Sequence, residues 1–390
     1  MSKTLQDYAT LINDTIQSNE INHYITTDNM CQNLGGIDTF KNINIPQGKV
    51  RSFQKDDVLL SNIRLYFRKV YRAKQKGGCS SDVLVFRAKH IDSATLFAIL
   101  SSQIFTDYAC SGSQGSKMPR GNKTHMMDFK IPTINFTIAK IFNSIQNKIE
   151  NNHKINELLH KILELLYEQY FVRFDFLDEN NKPYQTSGGK MKFSKELNRL
   201  IPNDFEVKTL GELITWISGS QPPKSCHIYE HKEGYIRFIQ NRDYSSNDYI
   251  TYIPISKNNK ICYQYDIMID KYGEAGAVRF GLQGAYNVAL SKISVLNQSM
   301  QEYIRSYLNS KPIKKYLSNA CMASTRSSLN ENHIYSLMLP IPPINLLQKY
   351  EKIAKNIITA IIKNNQSTQT LTALRDFLLP LLLNQQVKPQ

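Results

Sequence analysis

The chain repeats one pattern at a fixed distance along its sequence. "YACSGSQGSKMPRGNKTHMMDFKIP" begins at Tyr108 and "YLSNACMASTRSSLNENHIYSLMLP" begins at Tyr316, so the shift is 316 − 108 = 208 residues. The same shift relates four further pairs: Ser116 and Ser324, Asn122 and Asn330, His125 and His333, Pro132 and Pro340. Upstream, "DDVLLSNIRLYFRKV" faces "YDIMIDKYGEAGAVRF" within one residue of that shift. Identities that keep their order and spacing predict a tandem duplication within the 390 residues.

Each copy contains a β-rich part followed by a long helical segment. Short runs such as "DVLVFRA" and "GYIRFIQ" are typical of strands, and each β-rich part ends in proline, at "KIPTI" and "LPIPPI". Apolar residues with 3-4 spacing then predict two coiled-coil seams. The first seam is Ile138, Ile141, Ile145, Lys148, Asn152, Ile155, Leu159, Ile162 and Leu166. The second is Leu347, Tyr350, Ala354, Ile357, Ile361, Asn364, Thr368, Leu371, Arg375, Leu378 and Leu382.

The two helices are expected to pack on each other in antiparallel orientation. The alternative is that each is an ordinary amphipathic helix on its own domain, but about 36 residues reach about 54 Å, too long for a small domain. Asn152 and Asn364 lie near the middle of their seams, where a buried asparagine fixes register. Antiparallel packing therefore predicts the two asparagines in the same or adjacent layers, less than about 15 Å apart. Residues 171–213 are polar and are interpreted as a linker.

The charge balance favours a polyanionic partner. The chain has 48 Lys and Arg against 33 Asp and Glu, a formal net charge of +15, and an isoelectric point of about 9.3. Nucleic acid is the commonest partner of so basic a protein. No apolar run approaches the roughly 20 residues that span a bilayer. The start "MSKTLQDYAT" has no apolar signal core, so we expect a cytoplasmic protein without a membrane partner.

The motifs of the common catalytic and metal sites are missing from the sequence. "GSQGSK" has too short a gap for a nucleotide-binding P-loop, and Met118 stands where a magnesium-binding hydroxyl is required. No dinucleotide fingerprint, adenine-methyltransferase tetrapeptide or zinc-protease motif is present. The six cysteines form no C-x-x-C pair, which favours reduced thiols, and Cys226, His227 and His231 lack a second ligand cluster. We predict no catalytic residue and no metal site.

Several segments resemble one protein family. "LLSNIRLYFRKV", "GGCSSDVLVFRA" and "GSKMPRGNK" look like one subclass of target recognition domain. "KPYQTSGGKMKFSKELNRLIPNDFEVKTLGEL" is similar to the segment that introduces a second recognition domain, and "LPIPPINLLQKYEKIAKNI" resembles the distal conserved helix. In this order, the motifs cover nearly the whole chain and resemble the specificity (S) subunit of type I restriction–modification systems. The second recognition domain departs most from the family pattern.

The resemblance implies a fold and a division of labour. The fold class is α/β in a mixed sense, with two mostly β recognition domains joined by two long antiparallel coiled-coil helices in pseudo-twofold symmetry. The expected segments are recognition domain 1 (1–134), the central conserved helix and linker (135–203), recognition domain 2 (204–342) and the distal conserved helix (343–390). Such a subunit is non-catalytic. It binds a bipartite double-stranded DNA target and holds two methyltransferase subunits, with restriction subunits where the system has them. The chain itself binds no cofactor, whereas S-adenosylmethionine, ATP and Mg²⁺ are expected on the partner subunits.

The loop Ser111–Lys123 is best interpreted as part of a DNA contact, since hydroxyls, glycine N–H groups and cations can all bind phosphate. Arginine and asparagine pair well with guanine and adenine edges. The predicted DNA contacts of the first domain are Asn62, Arg64, Tyr66, Arg68, Ser80, Ser81, Ser116, Lys117, Arg120 and Lys123. Those of the second domain are Arg242, Lys271, Arg279, Tyr286, Asn287, Arg326 and Asn330. For each residue, the alternative is a solvated surface side chain.

Two other functions stay open at this point. The Ser111–Lys123 loop could be a degenerate nucleotide site of an enzyme, which calorimetric titration with ATP and S-adenosylmethionine would detect. A coiled-coil scaffold without a DNA role would also use long helices, but it accounts poorly for the positive charge and the duplicated β-rich parts.

Overall fold

The computed structural model describes residues 3–38, 41, 43–131, 136–245, 249–322 and 328–383, without the side chains of Met322, Leu382 and Leu383. The predicted contact Arg326 and the side chain of the predicted seam residue Leu382 therefore lie outside the described part. The chain forms two compact units, one of residues 1–155 with 364–390 and one of residues 156–363. This division runs through both long helices, so each unit holds part of each helix. The segment boundaries at 134, 203 and 342 remain predictions.

The first unit contains two four-stranded sheets. Its strands are β1 Ala9–Ile12, β2 Thr15–Gln17, β3 Tyr24–Ile25, β4 Lys49–Phe53, β5 Val58–Ser61, β6 Val70–Arg72, β7 Gly77–Cys79 and β8 Val83–Ala88. The sheet orders are β1-β8-β5-β6 and β2-β4-β7-β3. The helices are α1 Leu5–Tyr8, α2 Ser93–Ser101, α3 Gln103–Ser111, α4 Lys123–Met127 and the long α5 Phe136–Tyr167. Helix α2 is apolar along most of its length and packs on β5 and β6, which places the core between this sheet and the helices.

The second unit repeats this arrangement and adds two small sheets. Its strands are β9 Met191–Ser194, β10 Arg199–Pro202, β11 Glu206–Thr209, β12 Ile214–Ser218, β13 Tyr235–Ile239, β14 Thr251–Pro254, β15 Ile261–Cys262, β16 Ile267–Asp270, β17 Val278–Arg279, β18 Gly284–Tyr286, β19 Leu290–Val295 and β20 Met338–Ile341. The sheet orders are β12-β19-β16-β17, β14-β13-β18-β15, β9-β10 and β11-β20. The helices are α6 Gln301–Asn309, α7 Lys311–Met322, α8 Asn332–Tyr335 and the long α9 Ile344–Leu383.

The predicted duplication is confirmed by the matching topology of the two units. Helices α2 and α6 begin 301 − 93 = 208 residues apart, α3 and α7 begin 311 − 103 = 208 apart, and α5 and α9 begin 344 − 136 = 208 apart. In each unit, one four-stranded sheet contains a single parallel pair, β3 with β7 and β13 with β18. A shift that holds for three helices and a repeated parallel pair establish two copies of one fold.

The two long helices are antiparallel, as predicted. In the first unit, Asn152 Nδ2 donates to Thr368 Oγ1 at 3.1 Å, and Arg375 Nη1 donates to Gln146 Oε1 at 3.1 Å. In the second unit, the rings of Tyr170 and Tyr350 lie 5.6 Å apart. Residue numbers therefore rise along α5 as their partners' numbers fall along α9. Asn152 faces Thr368, one helical turn beyond Asn364, which confirms the prediction of adjacent layers within about 15 Å.

The predicted seam of α5 is correct at Ile138, Ile145 and Asn152 but wrong at the positions between them. Ile141, Ile155 and Ile162 are 46%, 43% and 48% exposed. The buried positions of the helix instead include Ile138, Phe142, Ile145, Ile149, Asn152 and Asn156. These residues also alternate by three and four, but in the opposite order. The Phe142 ring contacts that of Phe97 on α2 at 5.5 Å, and this packing on its own domain sets the inward face of the helix. The α9 seam is correct at Leu347, Tyr350, Ala354, Ile361 and Arg375.

The interpretation of residues 171–213 as a linker was also wrong. The segment contains strands β9 to β11, and its rings Phe171, Phe174 and Phe205 are each at most 2% exposed. Phe174 packs edge-on against Phe205 at 5.5 Å between ring centroids, and Phe171 contacts Tyr303 at 4.4 Å. Aromatic side chains of this segment therefore belong to the main core of the second unit. Among the described residues, none of the helices is both long and apolar enough to cross a membrane.

Candidate nucleic-acid interface

The first predicted contact segment is a sharply turned loop after β5. The turn Leu65–Phe67 lies between two arginines in the left-handed conformation, Arg64 at φ 50° and Arg68 at φ 48°. This conformation costs a residue other than glycine about 1–2 kcal/mol, so the surroundings must impose it. Leu65 is buried and holds the turn to the core, whereas the neighbouring Tyr66 is 53% exposed. The loop thus presents an aromatic ring and an arginine from a fixed backbone.

The Ser111–Lys123 loop forms a second turn. The backbone N–H groups of Gln114 and Arg120 each donate to the other residue's carbonyl at 2.9 Å, which closes the segment between them. Ser116 and Lys117 are exposed within this closed segment. Lys123 is the exposed first residue of α4, and Asn122 caps that helix by accepting from the His125 N–H at 3.1 Å.

Direct contacts bring these two loops together. The Arg64 N–H donates to the Pro119 carbonyl at 2.9 Å, and the Gly121 N–H donates to the Asn62 carbonyl at 3.2 Å. The Arg64 guanidinium also lies 3.4 Å from the Lys117 carbonyl. A side chain at Gly121 would collide with Met126, Leu65 and Asn62, so glycine permits this approach. We call the resulting surface the first patch: Asn62, Arg64, Tyr66, Ser116, Lys117, Arg120 and Lys123.

In the first patch, one ion pair is largely exposed and two buried polar atoms lack a hydrogen-bond partner in the described part of the chain. Arg120 pairs with Asp82 at 3.0 Å, but its side chain is 61% exposed. Asn62 Oδ1 and Arg64 Nε are buried, and neither has a hydrogen-bond partner within the described residues.

Three other predicted DNA contacts, Arg68, Ser80 and Ser81, lie outside the first patch. Arg68 points inward, because its guanidinium donates to the Ser101 carbonyl at 2.9 Å and burial lowers its pKa. The Arg68 side chain therefore ties the turn to the Ser101 carbonyl, in place of the predicted DNA contact. Ser80 is half-buried, and its N–H donates to the Ile25 carbonyl. Ser81 is exposed and its carbonyl accepts from Arg51 at 3.2 Å, so both serines lie beside Asp82 at the edge of the first patch.

In the second unit, part of the predicted set is also brought together. The Arg242 guanidinium lies over the Tyr249 ring at 5.7 Å, and its side chain is 53% exposed. Asn241 donates to the Tyr272 carbonyl at 3.3 Å, which places Arg242 near Lys271. The Asn287 N–H donates to the carbonyl of Ile239, the last residue of β13. We call this surface the second patch: Asn241, Arg242, Tyr249, Lys271 and Asn287.

Two residues of the second domain that were predicted to contact DNA have side chains engaged inside the protein. Tyr286 is fully buried, and its hydroxyl donates to the Ile217 carbonyl at 3.0 Å, so it packs the core. Arg279 donates to Asp270 at 2.9 Å and to Glu274 at 2.6 Å, and these carboxylates neutralise it. Asn330 is exposed and its side chain accepts from the Asn332 N–H at 3.1 Å, a local turn that leaves the amide group at the surface.

Asn241 and Tyr249 were not among the residues predicted from the sequence, and the structure adds them to the second patch. Both flank Arg242 in "QNRDYSSNDYI", so the basic and aromatic composition of that run was the available signal. Asp82, whose carboxylate is the acidic partner of Arg120, was not predicted either.

Comparisons with known proteins find specificity subunits of type I restriction systems among the similar chains. The model of the type I restriction modification DNA specificity domain matches residues 202–373. The MjaIX specificity subunit of Methanocaldococcus jannaschii is 24% identical over 300 residues, 74% of this chain and 67% of that protein. The HindI specificity subunit of Haemophilus influenzae is 22% identical over 309 residues, 64% of this chain and 66% of that protein.

One solved structure supports the fold over almost the full length. The type I restriction–modification S subunit from M. genitalium superposes with a TM-score of 0.62 at 15% identity, covering 98% of this chain and 95% of that one. At this identity the likeness concerns the fold alone. The family model over residues 202–373 and the related sequences likewise make the chain similar to type I restriction–modification specificity subunits.

Proposed function

We propose that the chain is the non-catalytic DNA-specificity subunit of a type I restriction–modification complex, and that its two domains bind the two halves of a split target. The observation that carries the proposal is the repeated fold, which presents an exposed basic and polar surface in each copy. Two copies of one fold suit a target in two parts. The net charge of +15 suits the DNA backbone.

In the first patch, we assign the phosphate contacts to Ser116, Lys117 and Lys123. All three side chains are exposed, and lysines near DNA release counterions when they neutralise phosphates. Arg120 can exchange its exposed ion pair with Asp82 for a base or phosphate at low cost, because such pairs contribute less than about 1 kcal/mol. Arg64 and Tyr66 extend from the fixed turn, with Asn62 beside them, and are assigned to base edges. Ser80 and Ser81 remain peripheral candidates.

In the second patch, Arg242 and Asn287 are assigned to bases and Lys271 to phosphate. Asn241 and Tyr249 join them from the same surface. Asn330 stays a candidate on exposure alone, and Arg326 stays a candidate from the sequence. We withdraw Arg68, Arg279 and Tyr286, because their side chains are engaged inside the protein.

We further propose that double-stranded DNA is bound together with two methyltransferase subunits, and with restriction subunits where the system has them. Helix α5 carries a row of exposed leucine and isoleucine side chains, Leu158, Ile162 and Leu165, which are 53%, 48% and 49% exposed. Apolar rows of this kind suit burial against a partner protein. S-adenosylmethionine, ATP and Mg²⁺ are assigned to the partner subunits, and the complex to the cytoplasm.

The nucleotide-enzyme alternative fits the loop poorly. A P-loop places the N–H groups of a following helix around the phosphates, whereas α4 has only five residues and begins six residues after Lys117. Within the described residues, no group of three or more His, Cys, Asp or Glu side chains could hold a metal ion. The scaffold alternative gives no reason for the exposed basic groups of the two patches.

Methylome sequencing of cells with and without the gene tests the proposal. We expect one split motif to lose adenine methylation when the gene is deleted and to regain it on complementation. An unchanged methylome, in cells that retain the partner methyltransferase, would contradict the proposal. Calorimetry of the isolated chain provides a second test, since the proposal expects no heat of binding from ATP or S-adenosylmethionine.

A further inference from the structure

We propose that Arg375 on α9 is a positioning residue that sets the shape of the DNA-contacting turn Asn62–Arg68 in the first domain. The proposal rests on the proposed function, because that turn belongs to the first patch. Arg375 lies 342 positions beyond Asn33, whose carbonyl it contacts, so the C-terminal helix of the chain would control reading by the N-terminal domain. Three consecutive sets of hydrogen bonds connect Arg375 to this turn.

The first set joins the helices to a short loop. Arg375 is 1% exposed, and its Nη1 donates to the Asn33 carbonyl at 3.3 Å and to Gln146 Oε1 at 3.1 Å. Gln146 on α5 is also 1% exposed and donates from Nε2 to the Leu34 carbonyl. Asp376 neutralises the guanidinium from its other side at 3.0 Å. Two consecutive backbone carbonyls are therefore held by side chains of the helix pair.

The second set joins that short loop to the DNA-contacting turn. Asn33 and Leu34 both adopt left-handed backbone conformations, at φ 52° and φ 60°. Their N–H groups donate to the carbonyls of Phe67 at 2.9 Å and Arg68 at 3.1 Å. The carbonyls of Asn33 and Leu34 thus accept hydrogen bonds from side chains of the helix pair. The N–H groups of the same two residues bind the end of the turn at Phe67 and Arg68. If the carbonyls lose their donors, the strained conformation loses support, and the two N–H groups no longer point at Phe67 and Arg68.

The third set lies within the turn. The Phe67 N–H donates to the Arg64 carbonyl at 2.9 Å, and the Arg64 N–H donates to the Pro119 carbonyl at 2.9 Å. Arg64 and Arg68 are themselves left-handed. A change at Phe67 and Arg68 is therefore transmitted to Arg64 and Tyr66, the two residues assigned to base edges.

The duplication supplies an internal comparison. The 208-residue shift pairs Arg375 with Tyr167 and Gln146 with Ala354. Neither of these residues carries a guanidinium or an amide side chain. Tyr167 packs against the rings of Phe171 and Tyr303 in the second unit, at 5.6 Å and 6.2 Å. The proposed control therefore applies to the first half-site and not to the second.

The experiment measures discrimination at each half-site separately, with the assembled complex. Duplexes with a single base substitution in either half are compared with the intact target, for the wild type and for Arg375→Gln. We expect the variant to lose about tenfold in discrimination at the first half-site, about the contribution of one well-placed base contact. Discrimination at the second half-site should be unchanged, and Arg375→Lys should restore part of the loss. An equal loss at both halves, or no loss at the first, would overturn the proposal.

A buried arginine also supports stability, so a matched control is needed. Leu379→Ala on the same helix removes buried apolar contacts of the first unit but leaves the bonds to Asn33 and Leu34. It should lower stability without a selective loss at the first half-site. If Arg375→Gln does not fold, Gln146→Met keeps the side-chain length and removes the bond to the Leu34 carbonyl. The same selective loss is expected from it, and its absence would count against the proposal.

Hydrogen exchange without DNA separates this inference from the proposed function. In Arg375→Gln, the amides of Asn33, Leu34 and the segment 64–68 should exchange at least tenfold faster, while those of β13 and β18 stay at the wild-type rate. Unchanged exchange at 33–34 would refute the positioning role even if DNA binding is normal. If exchange rises but Tyr66→Ala and Lys123→Ala leave DNA binding intact, the assignment of the first patch fails instead.

Discussion

Glu351 offers a direct test of the packing between α9 and α6. Its carboxylate accepts the backbone N–H of Glu302 at 2.9 Å and 3.1 Å, next to the start of α6. Burial raises the pKa of Glu351 to about 7, and the nearby charge of Glu302 acts in the same direction, although Arg305 and the backbone bonds oppose it. The hydroxyl of Tyr350 on the same helix faces Ser306 rather than this carboxylate. Glu351 is thus a partly buried acid that titrates near neutral pH in the folded protein.

The direction in which pH changes the stability follows from proton binding by Glu351. The folded-state pKa lies above the ordinary value of 4.5, so between about pH 4.5 and 7 the folded state binds a proton that the unfolded state has lost. The free energy of unfolding should therefore fall as the pH rises through this window. A pKa shift of this size limits the resulting change in the free energy of unfolding to about 3 kcal/mol. Solvent screening of a partly exposed group reduces the expected change to about 1–2 kcal/mol.

Glu351→Gln removes the titration but keeps an oxygen that can accept the Glu302 N–H. We expect the variant to be about 1–2 kcal/mol more stable than the wild type at pH 8 and nearly equal to it at pH 5. Urea unfolding from pH 5 to 8 measures this, followed by the fluorescence of Trp216. That residue is the single tryptophan of the chain and lies on β12 of the second unit.

Glu206→Gln is the matched control, because that side chain is 74% exposed and should leave the pH profile unchanged. If Glu351→Gln has the wild-type pH dependence, or is less stable than the wild type at pH 8, the reasoning about its burial is refuted.

Three further predictions concern the first patch and the helix pair. Lys123→Ala should weaken binding to all DNA sequences alike and reduce the slope of log K against log salt by about 0.9; an unchanged slope would remove Lys123 from the phosphate contacts. Gly121→Ala should displace Asn62 and Leu65, weakening DNA binding and lowering stability by about 1–3 kcal/mol in urea unfolding; wild-type values would show that the close approach is dispensable. Asn152→Ala should cost about 1–3 kcal/mol, because the Thr368 hydroxyl loses its donor inside the helix pair; a neutral result would argue against that bond.

The sequence predicted the parts of the fold that depend on spacing. The 208-residue shift predicted the duplication, and the two asparagines predicted antiparallel helices in nearly the right register. Spacing along one helix does not identify the neighbour on each face, however. Every second position of the α5 seam was therefore misplaced by one residue, as at Phe142, whose contact with Phe97 on another helix buries it in place of Ile141.

The candidate site was predictable in its location but not in the direction of each side chain. Arg64 and Arg68 look alike in "IRLYFRKV", and both are left-handed in the structure. The turn between them nevertheless directs Arg64 toward the Ser111–Lys123 loop and Arg68 toward the Ser101 carbonyl. Arg279 is neutralised by Asp270 and Glu274, at distances that the sequence pattern does not reveal. Residues 171–213 contain few aliphatic residues and therefore look polar in sequence, whereas the aromatic side chains Phe171, Phe174 and Phe205 supply the core.

The central claim is that each domain reads its own half of a split DNA target. The most direct test replaces residues 1–134 with the first domain of another specificity subunit and sequences the methylome of cells that express the exchange together with its methyltransferase partner. We expect one half of the methylated motif to change to that of the donor, with the other half and the gap between them retained. A motif that changes in both halves, or in neither, while the exchanged protein folds and assembles would contradict the account.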